Sequence, residues 1–268
     1  MSAAAETQAE TAGAVPSLAV EGARATIRLN RPRHMNRIEP DDIPVLLRLL
    51  DTVDSTQPVR VLVLTGTGRA FSAGYHLGDL ADQTEGGGSD AGVPSFEALT
   101  VRLEACRVPT ICRLNGGVYG GSTDLALACD FRIGHTGIEM FMPAGRLGVH
   151  YYEAGMRRYV SRLGLNAAKR LFLTAERVDA AEMLRIGYLT ELAPPEELDA
   201  RVDALAERIA EMAPLAVQGM KRALDEIARG ELDRVMLEAR QAACGESEDL
   251  KEGLRAFREK RKPVFQGR

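Results

Sequence analysis

The chain has 268 residues, 45 % hydrophobic and 27 % charged, with a formal net charge of −4. This is the balance of a soluble globular protein, and the length suits one main domain with an appendage. Mild negative charge gives no electrostatic reason to expect nucleic acid or an anionic membrane as partner, and no apolar stretch is long enough to span a bilayer.

Residues 1–16 are rich in Ala, Glu and Thr and lack the basic start and apolar core of a signal peptide, so a frayed tail on a cytoplasmic protein is expected. Residues 18–30 read as two strands around a turn at Glu21–Gly22, the second with Ala25, Ile27 and Leu29 on one face. Residues 40–54 follow as a helix with acids in its first turn. The β-branched run 59–66 fits a strand buried on both faces. Residues 84–95 have loop composition. "TICRLNG" and "CDFRIG" read as further strands with a helix between them, which argues for stacked β-α units. After residue 165 the strand signal fades. Leu198, Val202, Leu205, Ile209 and Met212 recur at helical spacing, and a basic helical segment closes the chain.

Cys106, Cys112, Cys129 and Cys244 form no C-x-x-C pair, and three of them sit in apolar segments, which suits a reduced compartment. His34, His76, His135 and His150 show no H-x-x-x-H spacing, so no metal site is expected.

The chemistry concentrates in "NGGVYGGSTDLALACDFRIG", residues 115–134. Gly116, Gly117, Gly120 and Gly121 precede an apolar run with Asp124 near its start. No G-x-G-x-x-G spacing occurs, which excludes the dinucleotide loop. A P-loop fails because Ser122 stands where lysine is required. Close packing of strand on helix explains such glycines. So does an oxyanion hole, in which a bare backbone N–H at a helix start receives a carbonyl oxygen. A second donor would then come from a similar turn, and Ser72, Ala73 and Gly74 offer one after the strand 59–65.

These two segments together resemble the crotonase superfamily, the enoyl-CoA hydratase/isomerase family. The first motif is Ala70-Phe71-Ser72-Ala73-Gly74-Tyr75, and the second runs from Asn115-Gly116 to Asp130. "IRLNRP" (27–32), "PAGRLGV" (143–149), residues 163–192 and "AFREKRKPVF" (256–265) extend the similarity over nearly the whole chain after residue 17. The resemblance implies an α/β fold, the crotonase (ClpP-like) spiral of repeated ββα units. It spans 17–195, and a helical region, 196–268, packs on neighbours in homotrimers or homohexamers. It implies an acyl-CoA thioester as substrate, with CoA part of that substrate and no other cofactor. It places the enolate oxygen on the backbone N–H groups of Tyr75 and Gly121. By the same resemblance Arg33, Ala73, His76, Leu77 and Gly120 meet CoA or the acyl chain, and the tail around Phe257 and Lys260 reaches CoA, often across a subunit interface.

Family hydratases activate water with two glutamates. The first corresponds to Asp124, a carboxylate one methylene shorter. The second corresponds to Ala144, which cannot move a proton. The remaining candidates are in "HYYE", where His150, Tyr151, Tyr152 and Glu153 follow closely. A tyrosine at the position of Tyr151 also resembles the methylmalonyl-CoA decarboxylase branch. The expected function is therefore of enoyl-CoA hydratase/isomerase type, with Asp124, Tyr151 and His150 as catalytic candidates. An acyl-CoA decarboxylase, or an acyl-CoA-binding protein without turnover, are the alternatives.

Overall fold

The computed structural model describes residues 15–76 and 94–268. Strands β1 (Ser17–Glu21) and β2 (Arg24–Leu29) form the expected antiparallel hairpin, with Gly22 at φ +58° in the turn. Alternation sends Ala25, Ile27 and Leu29 inward, where all three are buried. Helix α1 (Asp42–Ser55) packs Ile43, Leu46, Leu50 and Val53 into the core, one apolar stripe at helical spacing. Strand β3 (Val61–Gly66) is buried along its whole length.

From β3 onward the chain winds as a spiral. β3 joins a first sheet with β5 (Thr110–Leu114), β7 (Phe131–His135) and β10 (Glu191–Ala193), in the order β1-β2-β3-β5-β7-β10, parallel except for the hairpin. A second sheet takes β4 (Ala70–Ser72), β6 (Gly117–Tyr119), β8 (Glu139–Phe141) and β9 (Arg177–Asp179). Each strand β3, β5 and β7 is followed by a short strand of the second sheet and then by a helix: α2 (Phe96–Glu104), α3 (Ser122–Leu127) and α4 (Glu153–Leu163). These are the ββα units that the sequence led us to expect.

Helices α5 (Leu165–Thr174) and α6 (Ala180–Arg185) follow. The fading of strand signal after residue 165 needs correction, because β9 and β10 lie there. Each has three residues, too few for alternation to show. The amphipathic stretch resolves into α7 (Leu198–Ala210) and α8 (Pro214–Arg229), separated where Pro214 starts a new helix. Leu198, Val202 and Ala206 of α7 pack on Val61, Val63, Ile111 and Ile133, which buries the second face of β3. Leu205 and Ile209 are partly buried against them, whereas Met212 lies beyond the helix and is 44 % exposed.

Helices α9 (Arg234–Glu246) and α10 (Glu248–Glu259) complete the C-terminal region. The basic tail folds back on α10. The Asp249 carboxylate accepts the N–H groups of Gln266 and Gly267, and Glu252 accepts from Arg261 and the N–H of Val264. No described helix is long and apolar enough to cross a membrane.

Candidate active site

β4 and β6 are parallel neighbours, paired at Ala70–Gly117 and Ser72–Val118. The turns that leave their carboxyl ends therefore lie side by side. Gly74, at φ +93°, has no room for a side chain, since a Cβ there would fall 2.6 Å from the Tyr119 carbonyl and 2.9 Å from the Gly121 nitrogen. Gly120 takes φ +55°, the left-handed region that glycine enters without strain. A Cβ on Gly121 would sit 3.6 Å from the Tyr75 nitrogen, so the two backbone N–H groups lie close together. Around Tyr75 the bridge to Ile38 uses the Gly74 carbonyl and the His76 N–H. Strand alternation turns the Tyr75 N–H the opposite way, toward the second turn. Gly121 precedes α3, and among the described residues no acceptor receives its N–H.

Two buried serines fasten the turns to each other. Ser122 Oγ donates to the Ser72 carbonyl at 2.8 Å and accepts the Tyr119 N–H at 3.0 Å. Ser72 Oγ donates to the Asn36 carbonyl and accepts the Gly74 N–H. Asn36 is itself buried and left-handed, at φ +52°, and its side chain donates to the carbonyls of Thr67 and Ala70.

In front of the turns lies a cavity of about 410 Å³. Ala73, Tyr75, Gly120 and Gly121 form one wall, and Phe96, Met142, Leu147 and Val149 make much of the rest apolar. Its polar side chains include Glu97, His150, Tyr151 and Tyr152.

The sequence model of the enoyl-CoA hydratase/isomerase family matches residues 20–268. The chain belongs to that family. It is 32 % identical over 244 residues to the crotonyl-CoA hydratase of Syntrophomonas wolfei, covering 90 % of this chain and 94 % of that one. It is 28 % identical to the 2,3-dehydroadipyl-CoA hydratase of Escherichia coli over the same shares of the two chains. A crystal structure of an enoyl-CoA hydratase from Bacillus anthracis superposes with a TM-score of 0.84 at 28 % identity, covering 95 % of this chain and all of the other. As a member of the enoyl-CoA hydratase/isomerase family, the protein is an enzyme of hydratase/isomerase type acting on acyl-CoA.

Ala144 and Asp124 stand where the resemblance would place the glutamates of family hydratases. Ala144 lines the cavity and is 7 % exposed. Asp124, in the first turn of α3, is fully buried behind the cavity wall. Arg158 Nη1 approaches its two oxygens at 2.6 and 2.7 Å, and the Tyr152 hydroxyl donates to Oδ2 at 2.5 Å. Arg158 also binds Glu104, at 3.0 Å through Nε. Burial opposes the charge on Arg158, but Asp124 and Glu104 outweigh it and raise its pKa. The Tyr151 hydroxyl donates to that of Tyr152 at 3.2 Å, and their rings stack at 4.3 Å. Burial, then the charge of Asp124, pushes both phenols well above their ordinary range. Both are therefore neutral hydrogen-bonding groups at neutral pH, not bases.

The other expected residues separate into two groups. Ala73 and Gly120 line the cavity with Tyr75 and Gly121. His150 lies at its edge, exposed, with Nδ1 2.9 Å from the Tyr151 carbonyl. His76 instead meets Glu39, at 3.4 Å, because alternation along the strand sends it to the side opposite Tyr75. Arg33 is exposed on the short turn Pro32–His34. Phe257 and Lys260, at the end of α10, are exposed and do not line the cavity within one chain. Leu77 falls outside the described residues.

Sequence reasoning missed Asn36, Glu97, Glu104 and Arg158. For Arg158 there was a signal. It falls four residues after Ala154 on the inward face of α4, and a charge on such a face requires a partner. Among the described residues no group of three or more His, Cys, Asp or Glu side chains could hold a metal ion.

Proposed function

We propose that the enzyme binds an acyl-CoA thioester with its acyl carbonyl against the N–H groups of Tyr75 and Gly121, and that it forms and then quenches a thioester enolate. Two preorganised backbone donors favour the enolate oxygen over the ground-state carbonyl, and removing one such donor costs about two to three orders of magnitude in rate. The observation that carries this reading is the convergence of the two turns, with a Gly121 Cβ position 3.6 Å from the Tyr75 nitrogen. Among reactions open to the enolate, proton transfer of isomerase type has the most support. Hydration by two carboxylates has less, since Ala144 replaces one and Asp124 is held by Arg158 and Tyr152. In this reading Asp124 acts through Tyr152, fixing the phenol that lines the acyl site, and His150 stands at its entrance.

Decarboxylation is the second reading, favoured by the two neutral phenols of Tyr151 and Tyr152 in the cavity wall. A substrate carboxylate placed there would leave as CO₂ and need no base.

CoA would extend past Ala73 and Gly120 toward Arg33 and His76, with Phe257 and Lys260 supplied by a neighbouring subunit of a homotrimer or homohexamer. The exposure of Met220, Leu224 and Ile227 on α8, at 59, 66 and 56 %, supports such an assembly. The reaction uses no cofactor apart from the CoA of the substrate. Buried free thiols at Cys106, Cys112 and Cys129 fit a reducing, cytoplasmic setting.

The test is the conversion of trans-3-hexenoyl-CoA to the conjugated 2-enoyl thioester, followed by absorbance, beside hydration of crotonyl-CoA and CO₂ release from methylmalonyl-CoA. Isomerisation faster than hydration is expected. Efficient crotonyl-CoA hydration would overturn the preference for isomerisation, and CO₂ release without isomerisation would select the second reading.

A further inference from the structure

An enolate needs a group that takes a proton from carbon and gives it back. Asp124 is badly placed for this. It lies behind Tyr152, and protonating it would break a buried ion pair. Tyr151 and Tyr152 have raised pKa values and are already protonated. Among the described residues lining the cavity, the one remaining carboxylate is Glu97.

We infer that Glu97 is the catalytic acid–base of this enzyme, taking over the proton transfer that Ala144 cannot perform; this rests on the enolate reading above. Glu97 is the second residue of α2. Ser95 caps that helix, its Oγ accepting the Ala98 N–H at 3.1 Å, which fixes the turn that carries Glu97. The side chain is half-buried and reaches across to α4, where Oε1 lies 3.4 Å from the Ala154 nitrogen. This brings the carboxylate beside the segment holding Tyr151 and Tyr152. One turn further along α2, Thr100 Oγ1 lies 3.4 Å from the Tyr152 hydroxyl, so α2 and the tyrosine pair share one wall. Glu97 Oε2 has no hydrogen bond or ion pair among the described residues. Protonation of Glu97 therefore breaks no ion pair there.

In the step that follows, Glu97 removes a proton from the carbon acidified by the thioester. The C–H electron pair moves into the thioester and its oxygen gains negative charge, held by Tyr75 and Gly121. The Glu97 carboxylic acid, whose proton exchanges with solvent, then gives a proton to the α- or γ-carbon, and the electron pair forms the new C–H bond. Glu97 ends as it began, and no co-reactant is consumed.

The competing role for Glu97 is a structural one, as an acceptor for the start of α4. Glu97→Gln separates the two, because the amide keeps an acceptor for Ala154 and loses the base. The experiment follows exchange of the α-protons of butyryl-CoA in D₂O by NMR, with butyryl-CoA affinity and unfolding midpoint measured alongside. Loss of at least about 100-fold in exchange, with affinity and midpoint unchanged, is the expected result. In Glu97→Ala, added formate should restore part of the exchange. Exchange in Glu97→Gln within about fivefold of the unmodified enzyme would overturn the role of Glu97 and leave the enolate reading intact. An unmodified enzyme that binds butyryl-CoA and exchanges nothing would overturn both.

Discussion

Arg158 and Asp124 form a two-point ion pair cut off from solvent: Nη1 lies 2.6 Å from Oδ1 and 2.7 Å from Oδ2, and the side chains are 1 % and 0 % exposed. Such a pair gains little over well-packed apolar residues, but breaking it strands a buried charge. Arg158→Met leaves Asp124 without its cation and takes one from Glu104. A loss of about 3–5 kcal/mol is expected in urea unfolding at neutral pH. Arg158→Lys should recover part of it, since a single ammonium cannot reproduce the fork that serves both acids.

Gly74 is expected to tolerate no side chain. In Gly74→Ala the methyl would fall 2.6 Å from one backbone oxygen and 2.9 Å from the Gly121 nitrogen, and the φ of +93° adds strain. The two turns must then move apart. Turnover should fall by about 100-fold or more, with a smaller change in thioester affinity. A variant with intact kcat would show that the spacing of the two N–H groups is irrelevant to the reaction.

Asp225 gives stability a pH dependence. Burial, then the charge of Asp130, raises its carboxyl from 3.8 to about 6, against the pull of Lys221 and Arg162 and with a further push from Glu104. A carboxyl whose folded pKa exceeds its unfolded value binds more protons in the native state between the two. Its contribution is most favourable below about pH 4 and is lost as the pH rises through about 6. At neutral pH it opposes folding by at most about 3 kcal/mol, at roughly 1.4 kcal/mol per unit. Asp225→Asn should raise the urea midpoint at pH 7.5 and lose that advantage near pH 4. An advantage of equal size at both pH values would exclude this origin.

Leu224 projects from α8 at 66 % exposure, between Met220 and Ile227. If this face is covered by another subunit, Leu224→Glu buries an unpaired charge there. Light scattering after gel filtration should show the unmodified chain as a trimer or hexamer and the variant as a smaller species. A monomeric unmodified chain would sink the proposed assembly.

What could be read before folding follows from how local each constraint is. The two turns were legible because close backbone approach demands small residues, and Ser72-Ala73-Gly74 and Gly120-Gly121 are small in the sequence itself. The two-faced burial of Val61 to Gly66 was legible because a strand covered on both sides is apolar without alternation. The surroundings of Asp124 were not. Arg158 is 34 residues away in the chain, and the two meet only after α4 has packed on α3. The pairing of His76 with Glu39 was not legible either, since His76 follows Tyr75 directly and yet faces the other side of the strand. Glu97 carries no local mark in the sequence, because the cavity wall it belongs to forms only when α2 meets α4.

In the proposed reading, the turns after β4 and β6 would hold the thioester oxygen with peptide nitrogen, an atom that every residue but proline presents as a donor. Point mutation in the gene can therefore exchange acids, phenols and apolar walls around the cavity while the carbonyl keeps its seat. Ala144 is compatible with that freedom: a scaffold of this kind could lack a proton carrier at one position and use one at another without losing its hold on the thioester. Selection on such a scaffold would act on the route of the proton, because the grip on oxygen would lie in backbone geometry rather than in any one codon.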